Sequence, residues 1–184
     1  ELNQPGTYKM LKDTSIVAQF RLKKDQKHPL ISVLFENEIE DTVILAWTTT
    51  PWTLPANCAL AIGASIRYVK IKTFNPYTFA PVSVILAKDL VHKYFKVEAK
   101  DLTLGNYQGG DKLIPWQIVA EFKGEDLLGL HYHQLMPYVT NADLEKNAFR
   151  VIAGDFVTTE DGTGIVHTAS VFGADDFRVC RENG

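Results

Sequence analysis

Short apolar runs separated by turn residues make up most of the chain. Some alternate apolar with polar residues, as half-buried strands do, and others are continuous short apolar runs, as buried strands are. The predicted strands are 17–22, 31–35, 42–48, 59–63, 67–72, 82–87, 118–122, 127–132, 149–152, 156–159 and 165–168. Many short strands with few helices predict a barrel-like β core with helical decoration.

Helical spacing of apolar residues is confined to a few places. Residues 88–96 carry four apolar side chains at that spacing, which predicts a helix whose apolar stripe packs on the core. A second helix is expected over 175–181, and short helical turns are expected over 52–57 and 142–147. The pattern shows no internal repeat, so a single β-rich unit with peripheral helices is the simplest organisation.

The composition indicates one folded domain. The chain has 184 residues, of which 46% are hydrophobic, so it can bury a sizeable core. No apolar run approaches the roughly 20 residues needed to cross a membrane, and we expect no membrane contact. The net charge of −3 argues against a domain that grips nucleic acid by itself, because such domains are usually basic.

The cysteines are Cys58 and Cys180, and their spacing suggests neither a zinc site nor a redox pair. Cys58 lies in an apolar run, so we expect it to be a small core residue. Few, unpaired cysteines fit a reducing compartment, and we expect the protein to be cytoplasmic.

The predicted buried strand over 42–48 runs into a threonine-rich stretch. Thr48, Thr49 and Thr50 precede Pro51. Successive strand residues point to opposite faces, so hydroxyls can converge only if the chain turns, and Pro51 favours a turn. Hydroxyls flanked by two tryptophans suit a polar ligand with a flat ring. By composition alone, a Thr-rich edge strand with two core tryptophans is the simpler interpretation.

Two segments resemble the active-site peptides of one family. Residues 46–57 read Ala-Trp-Thr-Thr-Thr-Pro-Trp-Thr-Leu-Pro-Ala-Asn and are similar to the threonine-rich peptide of the editing (CP1) domain of isoleucyl-tRNA synthetase, a class I aminoacyl-tRNA synthetase. Residues 162–169, Gly-Thr-Gly-Ile-Val-His-Thr-Ala, and 173–177, Gly-Ala-Asp-Asp-Phe, resemble its second peptide. Two long motifs in family order are far more specific than one short pattern. The resemblance covers nearly the whole chain and implies an α+β fold: a β-rich, β-barrel-centred editing domain with a few peripheral helices.

The resemblance implies a site that hydrolyses an aminoacyl ester. Asp176 would bind the free α-ammonium, and His167 would form a pocket wall that positions the ester and limits side-chain size. Thr48, Thr49 and Thr50 would contact the terminal adenosine and the attacking water. These five residues are the expected catalytic set. The expected substrate-binding residues are Trp47, Trp52, Gly162, Gly164 and Thr168.

The implied function is the removal of valine from mischarged valyl-tRNA(Ile), with valyl-adenylate as a second candidate substrate. A pocket for isoleucine rejects the smaller valine only weakly, and the isoleucine enzyme is itself the standard example of this limit, so a second site must remove errors. The expected partners are the valine-carrying 3′ end of tRNA(Ile) and the rest of the synthetase chain, and we expect a monomer. We expect no metal and no cofactor in this domain, because ATP would be used by the catalytic domain of the parent enzyme.

The chain begins at Glu1 rather than Met and carries neither a His-Ile-Gly-His nor a Lys-Met-Ser-Lys-Ser sequence, the ATP-site signatures of the family. We therefore expect residues 1–184 to be a single editing domain excised from a larger synthetase, with 1–12 as a linker. The sequence does not decide whether His167 acts sterically or in proton transfer. No Ser-His-Asp or Cys-His arrangement is apparent, so we expect the ribose hydroxyl of the substrate to assist the reaction.

Other functions stay open. Trp52 and Thr50 argue against the editing domain of the sibling valyl- or leucyl-tRNA synthetase, whose first peptide usually carries Arg after two threonines, where this chain has Thr50. A non-catalytic tRNA-binding insert would keep the fold but lose the threonines, His167 or Asp176. An unrelated acid hydrolase would use Asp175 and Asp176 as a dyad, but adjacent residues do not easily bring two carboxylates together. We assign Asp175 to capping of the following helix.

The second peptide departs from the family after His-Thr-Ala. Ser170 stands where Pro is usual, and Val171 and Phe172 also differ from common versions, although the length to Asp176 is kept. This loop is therefore expected to differ in shape, which affects fine specificity more than hydrolysis.

Overall fold

A computed structural model describes residues 14–35, 40–100 and 102–184. The predicted linker, 1–12, lies outside the described residues and stays a prediction. The described chain is organised around one eight-stranded sheet. Its strands are β1 (Ile16–Arg21), β2 (Thr42–Thr48), β3 (Ala59–Ile62), β4 (Arg67–Phe74), β5 (Pro81–Ala87), β6 (Gln117–Lys123), β7 (Arg150–Ala153) and β8 (Ile165–Thr168).

The sheet is mixed, and its strand order is β6-β4-β5-β2-β8-β3-β7, with β1 paired to β2 off this path. The β4–β5, β4–β6, β1–β2 and β3–β8 pairs are antiparallel, whereas β2–β5, β2–β8 and β3–β7 are parallel. The sheet forms a half-barrel with few helices, which confirms the predicted β-rich fold. Because β8 lies between β2 and β3, the two peptides singled out in the sequence become neighbours.

The helices of the described part are short. The α-helices are α1 (Ile31–Phe35), α2 (Val91–Tyr94), α3 (Gly124–Leu127), α4 (Ala142–Asn147) and α5 (Ala174–Glu182), and the 3-10 helices are Pro51–Ala56, Lys88–Leu90, Val97–Ala99 and Leu104–Asn106. The predicted helices over 88–96 and 175–181 are therefore confirmed, the first as a 3-10 turn that continues into α2. In the ranges that the structure describes, no helix combines the length and the apolar character that spanning a membrane requires.

Three predicted strands were wrong. Residues 31–35 form α1, where Leu34 N donates to Leu30 O at 2.8 Å, because a short apolar run does not by itself distinguish helix from strand. The run over 127–132 begins with the last residue of α3, and its strand-like pairing is limited to isolated bridges, Leu22 to Tyr132 and His131 to Arg150. Residues 156–159 form a turn region rather than a strand.

The central strand β2 is buried on both faces of the sheet. Ile44 and Ala46 pack in one apolar cluster, and Val43 and Leu45 pack in another on the opposite face. A strand alternates its side chains between faces, so Thr48 lies on the same face of the sheet as Ile44 and Ala46, and Trp47 lies on the face of Val43 and Leu45. This register decides which side chains of the threonine-rich peptide can meet.

Candidate active site

The two peptides meet at the carboxyl end of β2. Trp47 of β2 is the parallel partner of Val166 in β8, and His167 is the antiparallel partner of Leu60 in β3. The end of β2 therefore lies beside His167, although Thr53 and His167 are 114 residues apart in the chain. Sheet order, rather than sequence proximity, assembles the site.

The chain turns immediately after β2. Thr50 N donates to Thr48 Oγ1 at 3.0 Å, and Thr53 N donates to Thr50 O at 3.0 Å as the 3-10 helix begins with Pro51. The turn brings three hydroxyls into one chain, with Thr48 Oγ1 and Thr53 Oγ1 each 3.3 Å from Thr50 Oγ1. The predicted turn is confirmed. Thr49 instead projects to solvent, and its hydroxyl has no hydrogen-bond partner among the described residues.

His167 is held at both ring nitrogens. It is 6% exposed, with Nε2 3.0 Å from Thr53 Oγ1 and Nδ1 2.9 Å from Asn57 Nδ2. Both partners belong to the threonine-rich peptide, so the ring ties β8 to the turn that follows β2. Thr53 Oγ1 also donates to Thr50 O at 2.8 Å, which continues the chain of hydroxyls toward solvent.

The surrounding hydrogen bonds assign the tautomer of His167. Asn57 Nδ2 donates to Ala59 O at 2.9 Å, and Tyr132 OH donates to Asn57 Oδ1 at 2.7 Å, so the orientation of the amide is fixed. The amide nitrogen is a donor only, so His167 Nδ1 must accept and the ring proton must lie on Nε2, directed at Thr53. The one basic nitrogen of the ring is therefore already engaged inside the protein.

The electrostatics agree with a neutral imidazole. Burial lowers the pKa of His167 below its usual value of 6.5, and the negative charge of Asp176 opposes this only in part. Burial also raises the pKa of Tyr132 well above 10, so its hydroxyl stays protonated and remains a donor. His167 is thus uncharged at neutral pH and locked in one orientation.

Asp176 lies in the first turn of α5, next to the end of β8. Its Oδ2 accepts from Ala169 N at 2.9 Å, which fixes the carboxylate over the loop that follows His167. The expected capping by Asp175 was wrong, because the N-cap is Gly173 and no side chain caps the helix. Asp175 instead pairs with Arg178, with Oδ1 3.4 Å from Nη2, while its position in the first turn suits the helix dipole.

Trp47 and the two glycines form a separate arrangement. Trp47 continues the face of β2 opposite to Thr48 and lines a cavity of about 210 Å³ with Gly162 and Gly164. Both glycines have positive φ, +67° and +71°. A Cβ on Gly162 would lie 2.9 Å from Trp47 Cε3, and one on Gly164 would overlap Ala87. Packing within the chain therefore accounts for both glycines, and the structure does not join them to the hydroxyl chain.

The remaining predicted residues differ in accessibility. Thr168 is fully buried, and its carbonyl accepts from Cys58 N at 3.0 Å, so it acts in the packing of β8 against the start of β3. Trp52 is 66% exposed on the 3-10 helix. On the second peptide Phe172 and Phe177 are also exposed. The side chain of Trp52 is thus accessible to a ligand, whereas that of Thr168 is enclosed by the protein, and the binding roles of both stay predictions.

The prediction from sequence missed Thr53, Asn57 and Tyr132, all of which belong to the His167 network. Asn57 could have been recognised from the sequence, since it is a polar residue close before a predicted apolar strand. Tyr132 could not have been recognised in this way, because its role depends on a contact with a residue 75 positions away in the chain. Within the described ranges, no three His, Cys, Asp or Glu side chains are arranged to hold a metal ion.

The sequence of the chain is similar to those of known proteins. The chain is 60% identical over all its 184 residues to an isoleucine–tRNA ligase of Cytophaga hutchinsonii and 49% identical, over its whole length, to that of Bacteroides thetaiotaomicron. The chain is homologous to a segment of the isoleucine–tRNA ligases. It spans only 15% and 16% of these two relatives. No protein-family model matches the chain.

Solved structures share the fold. The crystal structure of GlLeuRS-CP1 has a TM-score of 0.61 at 16% identity and covers 90% of this chain and 58% of its own. The P. knowlesi cytosolic leucyl-tRNA synthetase editing domain has a TM-score of 0.58 at 16% identity and covers 91% of this chain and 62% of its own. At this identity the likeness establishes the architecture of the chain.

Proposed function

We propose that this chain is the editing domain of an isoleucyl-tRNA synthetase and that it hydrolyses the ester of valyl-tRNA(Ile). The observation that carries the proposal is the convergence of Asp176, the neutral His167 and the linked hydroxyls of Thr48, Thr50 and Thr53 at the junction of β2, β8 and α5. Whole-length similarity to a segment of isoleucine–tRNA ligases, at up to 60% identity, favours isoleucine tRNA over the siblings.

Asp176 would recognise the amino acid. Ala169 N occupies Oδ2, and Oδ1 has no hydrogen-bond partner in the described part of the chain, so it is available to the α-ammonium of the substrate. A charge-assisted hydrogen bond to an ammonium is shorter and about twice as strong as a neutral one. A free amino group adjacent to the ester is what distinguishes an aminoacyl-tRNA from other esters, so this contact would select the substrate class.

The threonines would hold the adenosine and the water. Thr49 and Thr50 are exposed, and Thr50 is linked to the buried Thr48 and Thr53. Hydroxyls fixed in this way can donate or accept without reorganising during the reaction, which favours a transition state in which charge develops on the ester oxygen. The ribose hydroxyl of the substrate would assist, and the exposed ring of Trp52 would line the entrance.

His167 would act as a wall rather than as a base. Its basic nitrogen Nδ1 accepts from Asn57, and its Nε2 proton is directed at Thr53. A group whose lone pair is already engaged cannot accept a proton from water without breaking that contact. A rigid ring is, however, well suited to exclude isoleucine, which exceeds valine by one methylene, while admitting valine.

The remaining partners follow from the proposed function. The valine-carrying 3′ end of tRNA(Ile) would enter the site, and with a net charge of −3 most phosphate contacts would come from the rest of the synthetase chain. We propose that the domain acts as part of a monomeric synthetase in the cytoplasm. Valyl-adenylate presents the same α-ammonium and is a second substrate of the proposal.

The proposal is tested by single-turnover deacylation of valyl-tRNA(Ile) and isoleucyl-tRNA(Ile) with the chain. We expect valine to be released and isoleucine to be spared. Asp176→Ala should slow valine release about 10- to 100-fold, since a hydrogen bond to a charged group contributes about 1.5–3 kcal/mol. Asp175→Ala, the adjacent carboxylate that pairs with Arg178, is the matched control and should change little. Deacylation of neither tRNA, or an equal effect of both variants, would refute the proposal.

A further inference from the structure

We propose that Cys58 and Cys180 form an oxidisable pair, in which a peroxide converts two thiols into a disulfide that ties the start of β3 to α5 and slows editing. The effect on editing rests on the proposed function, but formation of the bond does not. The two residues are 122 positions apart, and their spacing gave no sign of a pair. Only the fold brings them together.

The sulfur atoms are already in contact. Cys58 Sγ lies 3.6 Å from Cys180 Sγ, and both residues are partly buried free thiols. A disulfide has an S–S distance of about 2.05 Å, so the sulfurs must approach by about 1.5 Å. Cys58 Sγ is also 3.5 Å from Thr168 O, which holds it at this side of β8. Bond formation therefore requires side-chain rotation together with a movement of α5 or of the start of β3.

The pair is connected to both halves of the proposed site. Cys58 directly follows Asn57, whose amide holds His167. Cys180 lies one helical turn after Asp176 on α5. Closing the sulfur contact therefore pulls either on the amide that fixes the ring or on the helix that carries the ammonium-binding carboxylate. A misplacement of about 1 Å can cost roughly 100-fold in rate.

A small oxidant can reach the thiols without passing through the active site. A surface cavity of about 340 Å³ is lined by Cys58 and Cys180, together with Arg150 and Ser170. His167 and the threonine hydroxyls do not line it. Oxidation therefore does not require the substrate site to be empty.

The chemistry balances with hydrogen peroxide as the oxidant. One sulfur, as thiolate, attacks a peroxide oxygen, the O–O bond breaks, and a sulfenic acid and water result. The second sulfur attacks the sulfenic sulfur, the S–O bond breaks, and a second water leaves, so two thiols and one peroxide give one disulfide and two waters. Burial, followed by the neighbouring Cys58, raises the pKa of Cys180 to about 12. Attack by the Cys180 thiolate is therefore slow at neutral pH and accelerates as the pH rises.

In the reducing compartment proposed for this protein, the pair would stay as thiols at rest. Disulfides in such compartments are usually transient and sense oxidation rather than support the fold. A bond that forms during peroxide exposure and is later reduced fits a temporary change in editing rate. The chain contains only these two cysteines, so no third thiol competes for the exchange.

The bond itself is tested on the reduced chain treated with hydrogen peroxide. We expect the free-thiol count to fall from two to zero, the intact mass to decrease by two hydrogens, and a peptide that links Cys58 to Cys180 to appear after digestion. Cys58→Ser and Cys180→Ser are the controls, and neither should give a cross-linked monomer. Two surviving thiols, or separate sulfinic acids without the cross-link, would overturn the proposal.

The effect on editing is tested by valyl-tRNA(Ile) deacylation before oxidation, after it and after dithiothreitol. We expect about a tenfold or greater loss that dithiothreitol reverses, and no loss for Cys180→Ser under the same treatment. Unchanged deacylation by the cross-linked chain would overturn the regulatory role. If the reduced chain never deacylates valyl-tRNA(Ile), the proposed function fails, while the thiol count still reports separately on the bond.

Discussion

At the scale of single residues, His167 shows how hydrogen bonding decides a role. Thr53 and Asn57 occupy its two nitrogens, and Tyr132 fixes the amide that sets its tautomer. An imidazole in this setting offers its carbon edge and its shape to a ligand rather than a lone pair. Its contribution to editing is therefore expected to be a size limit.

Shrinking His167 tests the size limit. His167→Ala should widen the pocket by several heavy atoms, so the variant should hydrolyse isoleucyl-tRNA(Ile), which the wild-type chain spares. The measurement is the ratio of single-turnover deacylation rates for isoleucyl- and valyl-tRNA(Ile), with thermal unfolding recorded in parallel because two hydrogen bonds are removed. If valine release is lost without any gain for isoleucine, His167 acts on the ester or its water.

Thr49→Ala is the contrasting variant, because its side chain is exposed and forms no hydrogen bond in the described part of the chain. It should slow valine release without admitting isoleucine, since the adenosine and water are common to both substrates.

The pH dependence of stability provides an independent test of the neutral ring. Because burial lowers the pKa of His167, the unfolded chain binds a proton at pH values where the folded chain does not. The contribution of this group is complete above pH 6.5 and is lost as the pH falls toward the folded pKa. Nitrogen-15 spectra should show a neutral Nε2–H ring at pH 7, and urea unfolding of His167→Gln should depend less steeply on pH between 7 and 5. A charged ring at pH 7 would contradict the assignment.

At the scale of elements, the position of β8 decides whether the site exists. The strand pairs with β2 on one side and β3 on the other, and it begins directly after Gly164. The carbonyl of Gly164 accepts from Tyr68 OH at 2.7 Å, which anchors the entry of β8 to β4. This hydrogen bond therefore fixes the start of β8, while pairing with β2 and β3 fixes the rest of the strand.

Replacing Gly164 tests that dependence. Gly164→Ala adds a Cβ that overlaps Ala87 at a φ of +71°, so the free energy of unfolding should fall by about 1–3 kcal/mol. The matched control is Gly105→Ala, since Gly105 is exposed and a Cβ there meets nothing within 4 Å. Urea unfolding of both variants measures the difference, and equal stabilities would show that β8 can shift without cost.

At the scale of the whole molecule, the proposed function assigns the editing site to the half-barrel and the other steps of aminoacylation to the rest of a synthetase. The chain spans 15% of the Cytophaga hutchinsonii relative, and its mixed sheet carries none of the ATP-site signatures expected of a synthetase core. The proposed role, the removal of a wrong amino acid, requires no ATP, so the domain can act with the fold that it has.

If the chain carries only the editing site, it should be unable to attach isoleucine to tRNA(Ile). With isoleucine, ATP, labelled pyrophosphate and tRNA(Ile) supplied, no isoleucine-dependent pyrophosphate exchange should be detected, while valyl-tRNA(Ile) is still deacylated. Exchange by the chain alone would require an ATP site that its sequence does not contain.

The local pattern of apolar residues was sufficient to predict secondary structure wherever a segment had only one good way to bury its apolar residues. The long runs that became β2, β4 and β5 were predicted correctly, as were β8 and α5. It was insufficient at 31–35 and 127–132, where a short apolar run is compatible with helix, strand or loop and tertiary contacts decide. In the site, the two peptides and Asp176 were recognised by resemblance. Trp47 and Thr168 were predicted to bind substrate, and in the fold Thr168 is buried and Trp47 packs beside Gly162 and Gly164.

The sequence by itself determined the β-rich class, the turn at Pro51 and the two peptides that meet, because periodicity, proline geometry and motif order are local properties of the chain. Only the tertiary structure decided that Thr53, Asn57 and Tyr132 hold His167, and that Cys58 touches Cys180. The physical reason is that a hydrogen bond or a sulfur contact depends on distances of a few ångströms between residues far apart in sequence. Those distances are set by the order and register of the strands, in particular by β8 lying between β2 and β3.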